Sequence, residues 1–311
     1  MAGSIKLGLV GLGKIARDQH LPAIAATPGI SLVAVASRNA RLDALACYPD
    51  LAAMLAGEPD LDAVVMCQPP QPRFDAARAA LLAGRHVFLE KPPGATLSEV
   101  DVLSALAERQ GVTLFASWHS RAAAAVDRAR DWLAAAEIRS VHIDWKEDAR
   151  VWHPGQTWLW QPGGFGVFDP GINALSILTA ILPEPVRMIA ADLDMPVNCH
   201  APVAARLVMA AESGVPITAE LDFRHEGPPA WDIIAETAQG RMILTEGGNR
   251  LHLPTASAAA DASPEAEYSR LYRRFVELVR AGDSEVDVSP LRLVADAFLI
   301  GRHHPVAAFA A

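Results

Sequence analysis

Cysteine is scarce in this 311-residue chain: Cys47, Cys67 and Cys199 are odd in number, far apart and without Cys-x-x-Cys spacing. That excludes a disulfide framework and argues against a zinc site. Positive charge is also short, with 27 Lys and Arg against 36 Asp and Glu and a net charge of −9. No basic stripe is left to neutralise phosphates, so a nucleic-acid partner is not expected. No apolar run reaches the roughly 20 residues of a transmembrane helix. Met1-Ala2-Gly3-Ser4-Ile5-Lys6 runs toward a strand without the basic segment and separate apolar segment of a signal peptide. The expectation is a cytoplasmic protein with reduced thiols and no membrane partner.

What is there reads as a globular chain long enough for two domains. Apolar residues make up 51% and charged residues 20%, a balance that excludes disorder. Ile5 to Val10 is a short apolar run, closed by Gly11-Leu12-Gly13-Lys14-Ile15-Ala16 and followed by a helical pattern through Ile24. Further buried strands are predicted at Leu32 to Ala36, Ala63 to Cys67, Val87 to Leu89 and Thr113 to Ala116. Helices are predicted at Arg41 to Leu45, Asp75 to Ala83 and Leu97 to Gln110, the last opened by a Thr96-x-x-Glu99 capping box. Strands rich in Val, Leu and Ala, without polar alternation and separated by helices, imply a parallel sheet covered on both faces. Residues 1–120 are therefore predicted to form an α/β domain with a doubly wound parallel sheet.

Beyond residue 120 the pattern changes. A helix at Ala122 to Ala136 leads to a strand near Val141 to Trp145, a loop crowded with Trp152, His153, Trp158 and Trp160, and a helix from Pro170 to Leu182. Arg187 to Asp194, Val203 to Glu212, Pro216 to Arg224, Trp231 to Thr237 and Arg241 to Thr245 read as successive strands, several with the partial alternation of a sheet that has one wet face. Helices at Glu265 to Ala281 and Pro290 to Gly301 close the chain; Ala256 to Ser263 reads as a surface loop and His303-His304 as an exposed tail feature. No internal repeat is present. Residues 121–311 are predicted to form an α+β domain on a largely antiparallel open sheet, whose exposed face invites pairing of two copies.

The glycine loop points to a dinucleotide. In Gly11-x-Gly13-x-x-Ala16 the first glycine allows the tight turn, the second lets backbone approach a pyrophosphate, and the small third residue permits close helix-to-strand packing. At the end of the second strand, where an NAD site usually places a carboxylate, the chain has Ala36-Ser37-Arg38-Asn39. Ser37 can donate to a 2′-phosphate and Arg38 can pair with it or stack on adenine, so NADP is favoured and NAD is accepted second. Glu90-Lys91-Pro92 follows the strand His86-Val87-Phe88-Leu89, which puts a cation at the carboxyl edge of the sheet, where open α/β sheets bind ligands.

These motifs, with Gly163-Gly164-Phe165-Gly166-Val167-Phe168-Asp169-Pro170-Gly171-Ile172-Asn173, resemble the Gfo/Idh/MocA oxidoreductases over essentially the whole chain. Within that family the pattern is most similar to bacterial enzymes that oxidise the anomeric carbon of L-arabinose and D-galactose pyranoses to a lactone. The resemblance implies an N-terminal Rossmann domain, a C-terminal α/β domain whose open sheet carries the sugar site, and a catalytic Lys91. It also implies that Asp169 and Asn173 occupy the positions of the family's Asp-x-x-x-His pair. Cofactor contacts are expected at Gly11, Gly13, Lys14, Ile15, Ser37, Arg38, Pro69, Glu90 and Lys91.

Asn173 departs from the commonest pattern, because a carboxamide cannot exchange protons near neutral pH. Acid–base work then falls to Asp169 and Lys91. Asp169 is assigned as the base, Lys91 as electrostatic stabiliser and proton partner, and Asn173 as orienting donor, with the first two able to exchange roles. Asp169 before Pro170 also has the form of a helix N-cap, a role that needs no substrate. Trp152 and Trp231 are candidates to stack on a pyranose face. His119, Glu147, His153 and Asn173 are candidates for its hydroxyl edges. The reaction requires no metal. Two other readings stay open: a dinucleotide-binding sugar sensor, and a dehydrogenase of a non-sugar substrate.

Overall fold

The computed structural model describes residues 3–254 and 266–310. The chain divides into two compact units, one built from residues up to His119 together with 266–288, the other from Ser120 onward without that segment. Among the described residues no helix is long and apolar enough to cross a membrane.

The first unit runs β1 (Ile5–Val10), a π-turn (Ala16–His20) continuing as α1 (Leu21–Ala26), β2 (Ile30–Ala36), β3 (Ala46–Tyr48), α2 (Leu51–Gly57), β4 (Ala63–Met66), α3 (Arg73–Leu82), β5 (His86–Leu89), α4 (Leu97–Gln110) and β6 (Leu114–Ala116). Its strands pair in the order β3-β2-β1-β4-β5-β6, all parallel. All four residues of β4 are fully buried, as expected for a central strand covered on both faces. The order turns back on itself at β1, which makes the carboxyl ends of β1 and β4 the switch point where such sheets bind ligands. The capping box on α4 is present: Glu99 N donates to Thr96 Oγ1 at 3.2 Å, and Thr96 N to Glu99 Oε2 at 3.4 Å.

The helix predicted at Arg41 to Leu45 is not there. Those residues turn into β3, with Leu42 N donating to Cys47 Sγ at 3.4 Å. Five residues fix one costly nucleus and few bonds, so a helix that short has little to sustain it. The helix of this region instead starts after Asp50, whose carboxylate accepts from Ala53 N at 2.8 Å.

The second unit contains α5 (Val126–Ala134), β7 (Ile138–Lys146), α6 (Ala149–Trp152), α7 (Phe168–Ile181), β8 (Val186–Pro196), β9 (Ala204–Ala211), β10 (Pro216–Asp222), β11 (Ala230–Thr237), β12 (Gly240–Thr245) and β13 (Arg250–His252). The chain then rejoins the first unit as α8 (Glu267–Ala281) and returns as α9 (Ser289–Ile300) and β14 (Arg302–Val306). Among the described residues the sheet order is β13-β12-β11-β7-β10-β9-β8-β14, antiparallel except for β7 with β10 and β8 with β14. Along β7, Val141, Ile143 and Trp145 are buried on the face that carries α7, and His142, Asp144 and Lys146 line the other. On that open face Lys146 pairs with Asp144 at 2.8 Å and Glu220 at 2.7 Å.

Two expectations change here. α8 belongs to the first unit, not the second: its amphipathic face packs beside α1, and residues 284–285 bond along the free edge of β6. His303-His304 is a strand rather than a tail, paired with β8 and tied by His304 Nε2 to Asp192 Oδ1 at 2.6 Å. A polar His-His-Pro run carries no strand signal, and Pro305 is tolerated because β14 is an edge strand. The surface loop predicted at Ala256 to Ser263 lies outside the described residues.

Candidate active site

In the first unit β1 delivers the chain to Gly11, whose φ of +94° and whose position beneath the chain after β4 both demand glycine. A Cβ there would lie 2.9 Å from Gln68 N. Gly13 differs, because a Cβ on it would meet no protein atom within 4 Å. Protein packing does not explain that glycine; close approach of a pyrophosphate to the following helical N–H groups does. Ala16 is fully buried under the turn, while Lys14 and Ile15 are exposed on it and Lys14 pairs with Asp18. Ser37 is half-buried and Arg38 exposed at the end of β2, and neither flanking residue, Ala36 or Asn39, is a carboxylate. These residues fit a dinucleotide with a 2′-phosphate.

Two loops at the same sheet edge are held by one buried cation. Arg73 donates to Gln68 O through Nε at 3.2 Å and, through Nη1, to the carbonyl oxygens of Glu90 and Pro92. It thereby ties the Gln68-Pro69 loop after β4 to the Glu90-Lys91-Pro92 loop after β5. Pro69 is exposed and Lys91 half-buried, and the Lys91–Pro92 peptide is cis.

Glu90 is 4% exposed, and both its carboxylate oxygens are engaged by donors of the protein, so its side chain does not offer the cofactor contact expected of it. Oε1 accepts from Tyr268 OH at 2.7 Å and faces His20 Nε2 at 3.2 Å; Oε2 accepts from Lys91 N at 2.7 Å. His20 Nδ1 meets Tyr272 OH at 2.6 Å. Burial pushes the Glu90 carboxyl up, and the bond and charge of His20, with His119 and Tyr268, outweigh it and hold the group down at about 2. Burial works against the His20 imidazolium too, yet Cys67 and Glu90 raise it to about 10. Both shifts favour the ionised pair in the neutral range. His119 is also held in this unit, with Nδ1 2.8 Å from Glu267 Oε2 and its ring stacked on Tyr268 at 5.5 Å.

In the second unit the chain leaves β7 at Lys146 and passes into Glu147, 3% exposed. Its Oε1 lies 2.8 Å from His153 Nε2, and its Oε2 accepts from Trp231 Nε1 at 2.9 Å. Asp148 caps α6, accepting from Arg150 N at 2.9 Å, and this short helix sets Trp152 and His153 where the chain turns. Trp152 stays 45% exposed and meets Trp231 edge-on at 5.1 Å; Trp231 pairs across the strands with Trp145. His153 Nδ1 is buried without a hydrogen-bond partner, 3.7 Å from Asp169 Oδ2. Asp169 is buried in the first turn of α7, and Asn173 is half-buried one turn on. Asp169 does not cap the helix: Val167 holds that position and no side chain caps it.

The structure therefore brings Glu147, Trp152, His153, Asp169, Asn173 and Trp231 together on one unit and leaves His119 on the other. Sequence reasoning missed His20, Arg73, Tyr268 and Tyr272. His20, Tyr268 and Tyr272 looked like ordinary helical residues and Arg73 like loop before a helix, and His20 meets its partners across 70 and 252 positions.

A parallel sheet with a glycine loop and a lysine at its carboxyl edge, joined in one chain to a mixed sheet carrying buried carboxylates and a histidine, defines a dinucleotide-dependent oxidoreductase. Residues 5–117 match the model of the oxidoreductase family with an NAD-binding Rossmann fold, GFO_IDH_MocA. The galactose 1-dehydrogenase of Pseudomonas fluorescens is 45% identical over 305 residues, covering 98% of each chain. The crystal structure of the D-galactose-1-dehydrogenase protein from Rhizobium etli superimposes with a TM-score of 0.95 at 55% identity, over 100% of this chain and 99% of that one. The 3-ketoreductase KijD10 from Actinomadura kijaniata, in complex with TDP-benzene and NADP, shares the fold at a TM-score of 0.81 and 20% identity, covering 98% and 100% of the two chains. This chain belongs to the Gfo/Idh/MocA oxidoreductase family.

Proposed function

We propose that the protein oxidises an aldopyranose at C1 to the aldonolactone, with NADP as the favoured acceptor. The observation that carries this reading is the Glu147–His153–Asp169 cluster beside the half-exposed Trp152, with one buried imidazole nitrogen left without a hydrogen-bond partner. Such a cluster offers an aromatic plane for a pyranose face and several acceptors for ring hydroxyls. The likeness to two galactose dehydrogenases supports the same substrate class.

When bound, NADP supplies the nicotinamide ring that takes up the hydride. Gly11, Gly13, Lys14 and Ile15 hold the pyrophosphate, and Ser37 and Arg38 hold the 2′-phosphate. Asp169 takes the proton of the C1 hydroxyl as C1 loses hydride. The Lys91 ammonium stabilises the charge that develops on the C1 oxygen, and the Asn173 carboxamide orients it. Glu147 and His153 position the ring through its hydroxyls, and Trp152 and Trp231 cover its apolar face. L-Arabinose, D-galactose and D-fucose share their hydroxyl configuration and differ at C5, so a pocket open at C5 accepts all three. Incubation with NADP or NAD and a panel of aldoses, followed by nicotinamide absorbance, should give reduction with these three and faster reduction with NADP. No reduction with any aldose would remove the reading.

A further inference from the structure

Glu90 is the most heavily bonded carboxylate behind the Lys91 loop. Three donors converge on it: His20 Nε2 from the turn before α1, Tyr268 OH from α8 and the backbone N–H of Lys91 itself. A carboxylate is acceptor-only and meets all three, whereas a carboxamide brings two donors of its own to a site that already holds donors. Tyr272 OH closes the far side of His20, and His20, Glu90, Tyr268 and Tyr272 are all buried. Arg73 grips the carbonyl oxygens of Glu90 and Pro92, one on each side of Lys91. The Lys91 backbone is thus held by its own N–H and by the carbonyls that flank it.

We propose that Glu90 is a positioning residue for Lys91, and that His20 and the returning helix α8, through Tyr268, hold Glu90 as the acceptor that fixes the Lys91 backbone. This rests on the reading of Lys91 as the catalytic cation. It also gives α8 a reason to leave the second unit's stretch of sequence and pack on the first. The charged and titratable groups around the carboxylate are His20, Cys67, Arg73, His119, Tyr268 and Tyr272. The Glu90 anion and the His20 cation cancel, so Lys91 sits beside a net-neutral pair and the carboxylate acts on it through the backbone bond.

The test compares Glu90→Gln and Tyr268→Phe with the parent enzyme and with Lys91→Ala, using D-galactose and NADP. Glu90→Gln should lower kcat roughly ten- to hundredfold, the rate equivalent of one hydrogen bond to a charged group. Tyr268→Phe, which deletes a single hydroxyl and keeps the test open if the first variant fails to fold, should lower it by a smaller factor. The Kd for NADP should stay within about threefold of the parent, because the lost interaction acts in turnover and not in uniform binding. The KM for D-galactose should likewise stay within about threefold of the parent while kcat falls, the split expected when only an arrangement used in the transition state is lost. Parental kcat in Tyr268→Phe and in any folded Glu90→Gln would overturn the proposal, as would a loss of NADP or D-galactose affinity in step with kcat. Full activity in Lys91→Ala would instead overturn the catalytic reading of Lys91.

Discussion

The two units treat their buried carboxylates differently. Around Glu90 the oxygens are matched by donors from the protein itself, and the paired histidine lies fully buried. Around Glu147 the same pairing of carboxylate and imidazole stops short: Glu147 holds Nε2 of His153, but Nδ1 has no hydrogen-bond partner, and the neighbouring Trp152 is half open to solvent. A saturated network rigidifies, whereas a buried polar atom left without a hydrogen-bond partner calls for an explanation, such as a water, an ion or a functional role. The contrast separates scaffold from site more sharply than burial does, since Glu90 and Glu147 are equally buried.

Three changes probe that contrast. The largest effect is expected from Lys91→Ala, which removes the cation but none of the saturated network's side chains: turnover should fall by roughly a hundred- to a thousandfold, as when one oxyanion donor is lost. NADP binding, followed by fluorescence titration, should largely survive; undiminished turnover would take Lys91 out of the mechanism. Next comes Arg38→Ala at the exposed end of β2, which should weaken NADP by about tenfold through loss of one charge-assisted contact and leave NAD nearly unchanged. Equal losses for both dinucleotides would remove Arg38 from 2′-phosphate recognition.

The third concerns stability and pH, and bears on the saturated pair alone. Glu90, depressed from 4.5 to about 2, contributes stability that is present above 4.5 and lost as the pH falls toward 2. His20, raised from 6.5 to about 10, contributes stability that is full below 6.5 and lost as the pH rises through 10. The pair therefore stabilises most between pH 4.5 and 6.5. The difference in melting temperature between the parent and Glu90→Gln should be greatest in that window and shrink on both sides. A difference independent of pH would mean that the pair is not ionised.

Much of this arrangement was legible in the residues. The glycine loop, the apolar strands of the first sheet and the Glu90-Lys91-Pro92 tripeptide carry local signals, because a parallel sheet buries whole strands and its ligands gather at the carboxyl edge. Asp169 and Asn173 were legible as an i, i+4 pair, and Trp152-His153 as an oddly aromatic polar loop. What the sequence hid is long-range. An amphipathic helix shows which face is buried but not on which sheet, so α8 read as part of the second domain. His20 and Tyr272 lie 252 positions apart, and nothing local to either announces the other. The three-residue β3 and the His-His-Pro strand β14 exist because neighbouring strands pair with them, a tertiary effect that outweighs propensity.

The central claim, sugar oxidation at C1 on this chain, is tested most directly with D-galactose deuterated at C1. Turnover with NADP should place the deuterium on the nicotinamide ring and release D-galactono-lactone without it. Reduced nicotinamide lacking deuterium, or a product still deuterated at C1, would contradict it.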